Sequence, residues 1–262
     1  MPFADLRGQR FCYEDTGHGG RVLVLSHGIL MDRTMFAAQV EEFSTDHRVI
    51  TWDWRGFGDT VTEDAAFTIW DQVDDLLALL DHLGVERAVF AGMSHGGYIT
   101  MRTPLVAPDR VEGIITMDTN ASGLSPEERA SYRRLFDIWL DLGPTDDICR
   151  TFADIIIGDP LLNAEWTRRW QSREQWSTMR HAIDVTINLD DLTPRLAEIS
   201  CPALVIHGVD DKAFGTACAD NIARHLSQAG PVVAVPGGHA ANLTHPEPVN
   251  KAIRTFLSAL GT

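Results

Sequence analysis

Apolar positions along the chain fall into two alternating patterns. Short runs are apolar at nearly every position: Val22 to Leu25, RVITWD from Arg48 to Asp53, and Ala88 to Ala91. Such runs suit strands of a parallel sheet buried on both faces. Between them apolar residues recur three and four apart, the spacing of one helix face. Residues 69–84, IWDQVDDLLALLDHLG, show this most clearly, and Gly84 stands where a helix ends in the left-handed conformation. The same reading predicts helices over Met35–Phe43, onward from Gly96, over Thr216–Leu226 and over Glu247–Leu260. Further strands are predicted at VEGIITMD (111–118), CPALVIHG (201–208) and PVVAVPG (231–237). The opening FADLRGQRFCYEDTG reads as a strand pair turning at Arg7-Gly8.

This alternation predicts a parallel sheet with helices on both faces. It stops near Asn120. Residues 121–199 are mostly helical in pattern and hold Trp139, Trp166, Trp170 and Trp176, after which strand and helix alternate again. The expected organisation is one α/β core, residues 1–120 and 200–262, with a helical cap inserted at 121–199. Individually the four tryptophans read as core residues; together they suggest the roof of an apolar pocket. Arg168, Arg169, Arg173 and Arg180 read as a solvated helix face, with contact to a substrate carboxylate as the alternative. Pro104, inside the helix that begins at Gly96, is expected to kink or shorten it.

A length of 262 residues and a hydrophobic content of 44% suit a single domain with such an insertion. A formal charge of −15 argues against nucleic acid or an anionic membrane as partner. No apolar run approaches the ~20 residues needed to span a bilayer, and MPFADLRGQRFCYED lacks the basic-then-apolar order of a signal peptide. Cys12, Cys149, Cys201 and Cys218 are scattered without a CxxC pair, which fits reduced thiols in the cytoplasm.

The candidate chemistry centres on Gly92-Met93-Ser94-His95-Gly96, between the predicted strand at 88–91 and the helix that follows. Glycines on either side permit a very tight strand-to-helix turn. Such a turn presents the serine hydroxyl at the end of the sheet and beside a helix N-terminus, where developing negative charge is favoured.

With its other signals the chain resembles the α/β-hydrolase superfamily over nearly its whole length. The matching pieces come in the family's order: His27-Gly28, then Asp53-x-Arg55-Gly56-x-Gly58, then Gly92-x-Ser94-x-Gly96, then His207-Gly208-x-x-Asp211, then Gly238-His239. Thr60 stands where the family often has serine. The resemblance implies a mostly parallel eight-stranded sheet with an inserted helical cap. It also implies a cofactor-independent serine hydrolase, without a metal, that cleaves a small, partly apolar carboxylic ester or lactone through an acyl-enzyme. Its nucleophile would be Ser94, its base His239 and its acid Asp211, with Asp118 in MDTN as the rival acid and Asp210 as the nearer competitor. The backbone N–H groups of Ile29 and His95 would form the oxyanion hole. His27 and Arg55 would be structural, and His245 would mark the start of the last helix. C–C bond hydrolysis, acyl transfer and perhydrolysis use the same triad, and a non-catalytic ligand receptor is the reading from another class.

Overall fold

A computed structural model describes residues 2–173 and 176–261. Arg7 and Gly8 both take left-handed φ values, 49° and 77°, the geometry that lets a two-residue turn match strand twist. They join β1 (Phe3–Leu6) to β2 (Gln9–Asp15) as an antiparallel pair. The sheet continues through β3 (Val22–Ser26), β4 (Arg48–Trp52), β5 (Ala88–Met93), β6 (Val111–Met117), β7 (Ala203–Gly208) and β8 (Val233–Val235). The spatial order is β1-β2-β4-β3-β5-β6-β7-β8. From β4 onward every pairing is parallel. All six residues of β5 are buried, as a central strand covered on both faces requires.

The helices of the core are α1 (Ala37–Phe43), α2 (Ile69–His82) and α3 (His95–Val106). Thr68 and Asp71 cap the start of α2 reciprocally. Helix α3 lies between β5 and β6 in the chain and is buried from His95 through Pro104. Pro104 does not break it. The proline falls in the last turn, where only one backbone bond is lost, and the helix stops two residues later. The helix expected over Met35–Phe43 begins as a 3-10 turn at Arg33–Phe36, and the last predicted strand is short, Val233–Val235.

Between β6 and β7 the chain forms α4 (Pro126–Leu142), α5 (Asp146–Ile156), α6 (Pro160–Gln171) and α7 (Arg180–Ile187). It returns to pair β7 directly with β6. The remaining helices are α8 (Thr216–His225), α9 (Ala241–Thr244) and α10 (Pro246–Ala259), with His245 at the start of α10. Among the described residues no helix is long and apolar enough to cross a membrane.

The helical segment grips the sheet through named bonds. Trp170 Nε1 donates to the Leu30 carbonyl at 2.7 Å, Arg173 to the Gly56 carbonyl at 2.7 Å, and Arg169 to Thr34 Oγ1 at 2.6 Å. Trp139, Trp166 and Trp170 are buried against one another, with Trp139 and Trp170 rings edge-on at 5.6 Å. The Trp139 N–H, unlike that of Trp170, has no acceptor among the described residues. Trp170→Phe and Trp139→Phe remove similar volume, but only the first strands a carbonyl. Trp170→Phe is therefore expected to destabilise by about 1–3 kcal/mol more in urea unfolding; equal losses would mean the Leu30 bond contributes nothing.

Candidate active site

Strand β5 passes into α3 through Ser94, whose φ of 52° and ψ of −114° lie outside the regions favoured by L-residues. The turn is held from both sides. Ser94 N–H donates to the Met117 carbonyl at 2.9 Å, and its carbonyl accepts from Gly97 N–H (2.9 Å) and Thr119 Oγ1 (2.7 Å). The motif glycines have specific causes. A Cβ at Gly92 would overlap the Gly96 carbonyl, and one at Gly96 would overlap the Ser26 carbonyl at the end of β3. Gly28 is less tightly constrained, since a Cβ there would press on the Met93 sulfur and the Ser94 side chain rather than on backbone.

Ser94 Oγ lies 2.9 Å from His239 Nε2, and His239 Nδ1 lies 2.9 Å from Asp211 Oδ2. Three loops at the same end of the sheet thus bring the sequence-assigned serine, histidine and aspartate into one line. Asp211 is fixed by a turn of its own: its Oδ1 accepts from the N–H groups of Ala213 (2.7 Å) and Phe214 (2.9 Å). Burial opposes its charge, but the His239 contact and these two N–H groups outweigh it and hold the carboxyl below the usual carboxylate range.

Asp118, the rival carboxylate, does not reach His239. Its Oδ1 instead accepts from Gly208 N–H at 2.6 Å, tying β6 to β7. Burial drives this carboxyl up to about 7. Asp118, His207 and Asp211 also form a group spaced to hold a metal, as do Cys12, Asp53 and Asp59. The first group would take Asp211 from His239, and the second carboxylate, Asp53, is already engaged by Arg33 (Nη1 2.6 Å, N–H 2.7 Å) and Asp59 N–H (2.9 Å).

Neither Ile29 N–H nor His95 N–H donates to another group among the described residues. The loop carrying Ile29 is braced by aromatic stacking. Trp54 lies between the rings of His27 (4.9 Å) and His95 (4.2 Å), and its Nε1 donates to the His27 carbonyl at 2.9 Å. Burial lowers His27 to about 4 and takes His95 well below its ordinary value, so both rings are neutral at pH 7. Leu30, next to Ile29, has a φ of 63°, rare for a branched residue, and its carbonyl is the one held by Trp170. Arg55 pairs bidentately with buried Asp75, at 2.5 and 2.8 Å, and so anchors its loop.

A cavity reaches Ser94 and His239, walled by Tyr98, Leu124, Tyr132, Phe136, Phe152, Ile156, Ile187 and Phe214 among others. No tryptophan of the helical segment lines it, and neither does Arg168, Arg169, Arg173 or Arg180. The expected roof is thus phenyl, phenol and aliphatic, because the indoles are spent on packing and on the Leu30 bond. Arg173 is not on a solvated face: it reaches inward to the Gly56 carbonyl, 5.6 Å above the Phe57 ring. Sequence reasoning passed over Trp54, although it stands inside the Asp53–Gly58 motif, and over Tyr98, one helical turn after Ser94.

The family model described as "alpha/beta hydrolase fold" matches residues 21–246. The chain belongs to the α/β hydrolase fold family. Among solved structures it is similar to a thermophilic esterase from Thermogutta terrifontis, with 31% identity, TM-score 0.89, and coverage of 98% of this chain and 96% of that one. It is also similar to the enol-lactonase from Burkholderia xenovorans LB400, with 25% identity, TM-score 0.88, and coverage of 98% and 100%. A Caulobacter sp. (strain K31) protein provisionally named carbamate hydrolase RutD is 28% identical, covering 92% of this chain and 94% of that protein. As an α/β hydrolase the chain is an enzyme of a hydrolytic family.

Two outcomes follow from this geometry. Gly96→Ala places a methyl against a backbone carbonyl that cannot yield, so it is expected to cost at least about 1–3 kcal/mol, several degrees of melting temperature; an unchanged transition would show that the turn has room. Asp118 titrates at about 7 when folded against an ordinary value of 3.8, so the folded state binds the extra proton. The stability this gives is present in acid and is lost as pH rises from about 4 to about 7. Asp118→Asn removes that titration, so its melting temperature relative to the unmodified protein should climb between pH 5 and pH 8. A constant difference would place the titration outside this window.

Proposed function

We propose that this α/β hydrolase is a serine hydrolase that cleaves a small, partly apolar carboxylic ester or lactone through an acyl-enzyme. The observation that carries the reading is the continuous line from Ser94 Oγ to His239 Nε2 (2.9 Å) and from His239 Nδ1 to Asp211 Oδ2 (2.9 Å). A serine hydroxyl is a weak nucleophile at neutral pH and needs a base at hydrogen-bond distance. In this mechanism His239 takes the proton as Ser94 Oγ attacks the scissile carbonyl. Asp211 holds the ring in the tautomer with Nδ1–H and stabilises its positive form.

The tetrahedral oxyanion would be received by the backbone N–H groups of Ile29 and His95, which donate to no other group among the described residues. A preorganised donor of this kind is worth roughly 10²–10³ in turnover. The intermediate collapses with loss of the alkoxide, to which His239 returns the proton. Water, activated by the same ring, then releases the acid and restores Ser94. In a lactone the leaving oxygen stays tethered, and the chemistry is otherwise the same. Protein groups and water supply every step, and no cofactor is invoked.

The apolar cavity supports an acyl group rich in carbon, and the helical segment that builds much of its wall acts as the cap. Similarity to an esterase and an enol-lactonase favours the same bond classes. Ser94→Ala is expected to cut hydrolysis of p-nitrophenyl butyrate by about 10⁴-fold or more and to abolish labelling by a fluorophosphonate probe. Labelling that persists in that variant would remove Ser94 from the role.

A further inference from the structure

The cavity beside Ser94 presents two kinds of polar side chain. Ser94 and His239 are bonded to one another. Thr186 bonds to His95 Nδ1 and to the Ala182 carbonyl, both at 2.8 Å. Tyr98 and Tyr132 differ, because neither hydroxyl has a hydrogen-bond partner among the described residues. Tyr98 belongs to α3, one turn after Ser94, and is only 4% exposed. Tyr132 reaches the same space from α4 of the helical segment, so donors from both halves of the wall meet the cavity. A buried phenol ordinarily finds an acceptor, since an unpaired O–H away from water is costly.

The remaining lining is hydrocarbon apart from His239 and the groups already bonded, and no Asp, Glu, Lys or Arg takes part among the described residues. Burial raises both phenols, Tyr132 to about 12, so at neutral pH they are donors. A donor in such a wall suits a neutral acceptor oxygen. A carboxylate would bring in a charge that no cation faces, and a plain alkyl chain would leave the phenol unpaired.

We propose that Tyr98, supported by Tyr132, is a specificity determinant that selects acyl groups carrying a neutral oxygen (keto, hydroxy or ether) a few carbons from the scissile carbonyl. This inference rests on the serine-hydrolase reading for its substrate class, and on the cavity alone for its recognition. Since the oxygen is bound away from the reacting bond, the phenol discriminates through kcat/KM between acyl chains of the same length.

The test uses p-nitrophenyl 4-oxopentanoate and p-nitrophenyl pentanoate, which differ by a carbonyl in place of a methylene. The ratio of their kcat/KM values, above the uncatalysed rates, is expected to favour the oxo ester in the unmodified enzyme. Tyr98→Phe, which keeps the ring, should lower that ratio about tenfold, and Tyr132→Phe should lower it less. A parallel arm measures by calorimetry the binding of ethyl 4-oxopentanoate and ethyl pentanoate to Ser94→Ala, with and without Tyr98→Phe. If both esters turn over and the ratio stays within twofold after Tyr98→Phe, the recognition proposal is overturned while the hydrolase reading stands. If neither turns over yet the oxo ester binds more tightly only with Tyr98 present, the hydrolase reading fails and the recognition stands. Equal binding of the two esters overturns the proposal in either case.

Discussion

The approach of α3 to the end of β3 is the constraint on which the site depends. The helix begins so close to the sheet that the Gly96 Cα faces the Ser26 carbonyl with no space for a side chain. That contact fixes where the chain must turn, and the turn forces Ser94 into its left-handed φ. The strain is held by the end of one neighbouring strand, β6, through Met117 at its last position and Thr119 just beyond it. A hydroxyl placed in this way has few rotamers to lose when it meets His239, which is how stored backbone strain becomes preorganisation.

Around that turn the protein builds a polar yet uncharged floor. Trp54 is stacked between two imidazoles that burial keeps neutral, and each imidazole belongs to the backbone stretch that carries one candidate oxyanion donor. Thr186 of the helical segment bonds to one of these rings, and Trp170 bonds to the turn beside the other donor. The helical segment therefore touches both arms of the proposed oxyanion hole without entering it. Packing of that segment and placement of those N–H groups belong to a single rigid cluster, as the close packing of protein interiors demands.

Much of this was legible in the sequence because it is written in local signals. Consecutive apolar runs marked the buried strands, helical spacing marked α2, and the glycines at 92 and 96 marked backbone contacts that only a missing side chain permits. Ser94, Asp211 and His239 were legible because each follows a strand end, and strand ends of a parallel sheet share one edge. The helical segment was different. Its tryptophans and arginines signal burial or charge, but which face of a helix meets the pocket depends on how α4 to α7 pack, and no local pattern encodes that. The same limit hid Tyr98, since a phenol in a buried helix looks like core until its hydroxyl is seen to lack a partner. Asp118 and Asp211 both follow strand ends, and contacts between separate segments tell them apart: Gly208 N–H engages Asp118, while His239 meets Asp211.

The chain leaves the sheet at β6 and re-enters it at β7, and these strands are immediate neighbours. Because the two strands are parallel, the exit after Met117 and the entry at Ala203, which pairs with Ile114, stand at opposite ends of the pair, roughly 10 Å apart. Away from its bonds to Leu30, Gly56, Thr34 and His95, the segment 121–199 can lengthen or shorten without moving the strand register, which is set by the β6–β7 pairing. Only where Trp170 and Thr186 tie the segment to Leu30 and His95 does a change in it reach the backbone beside Ser94.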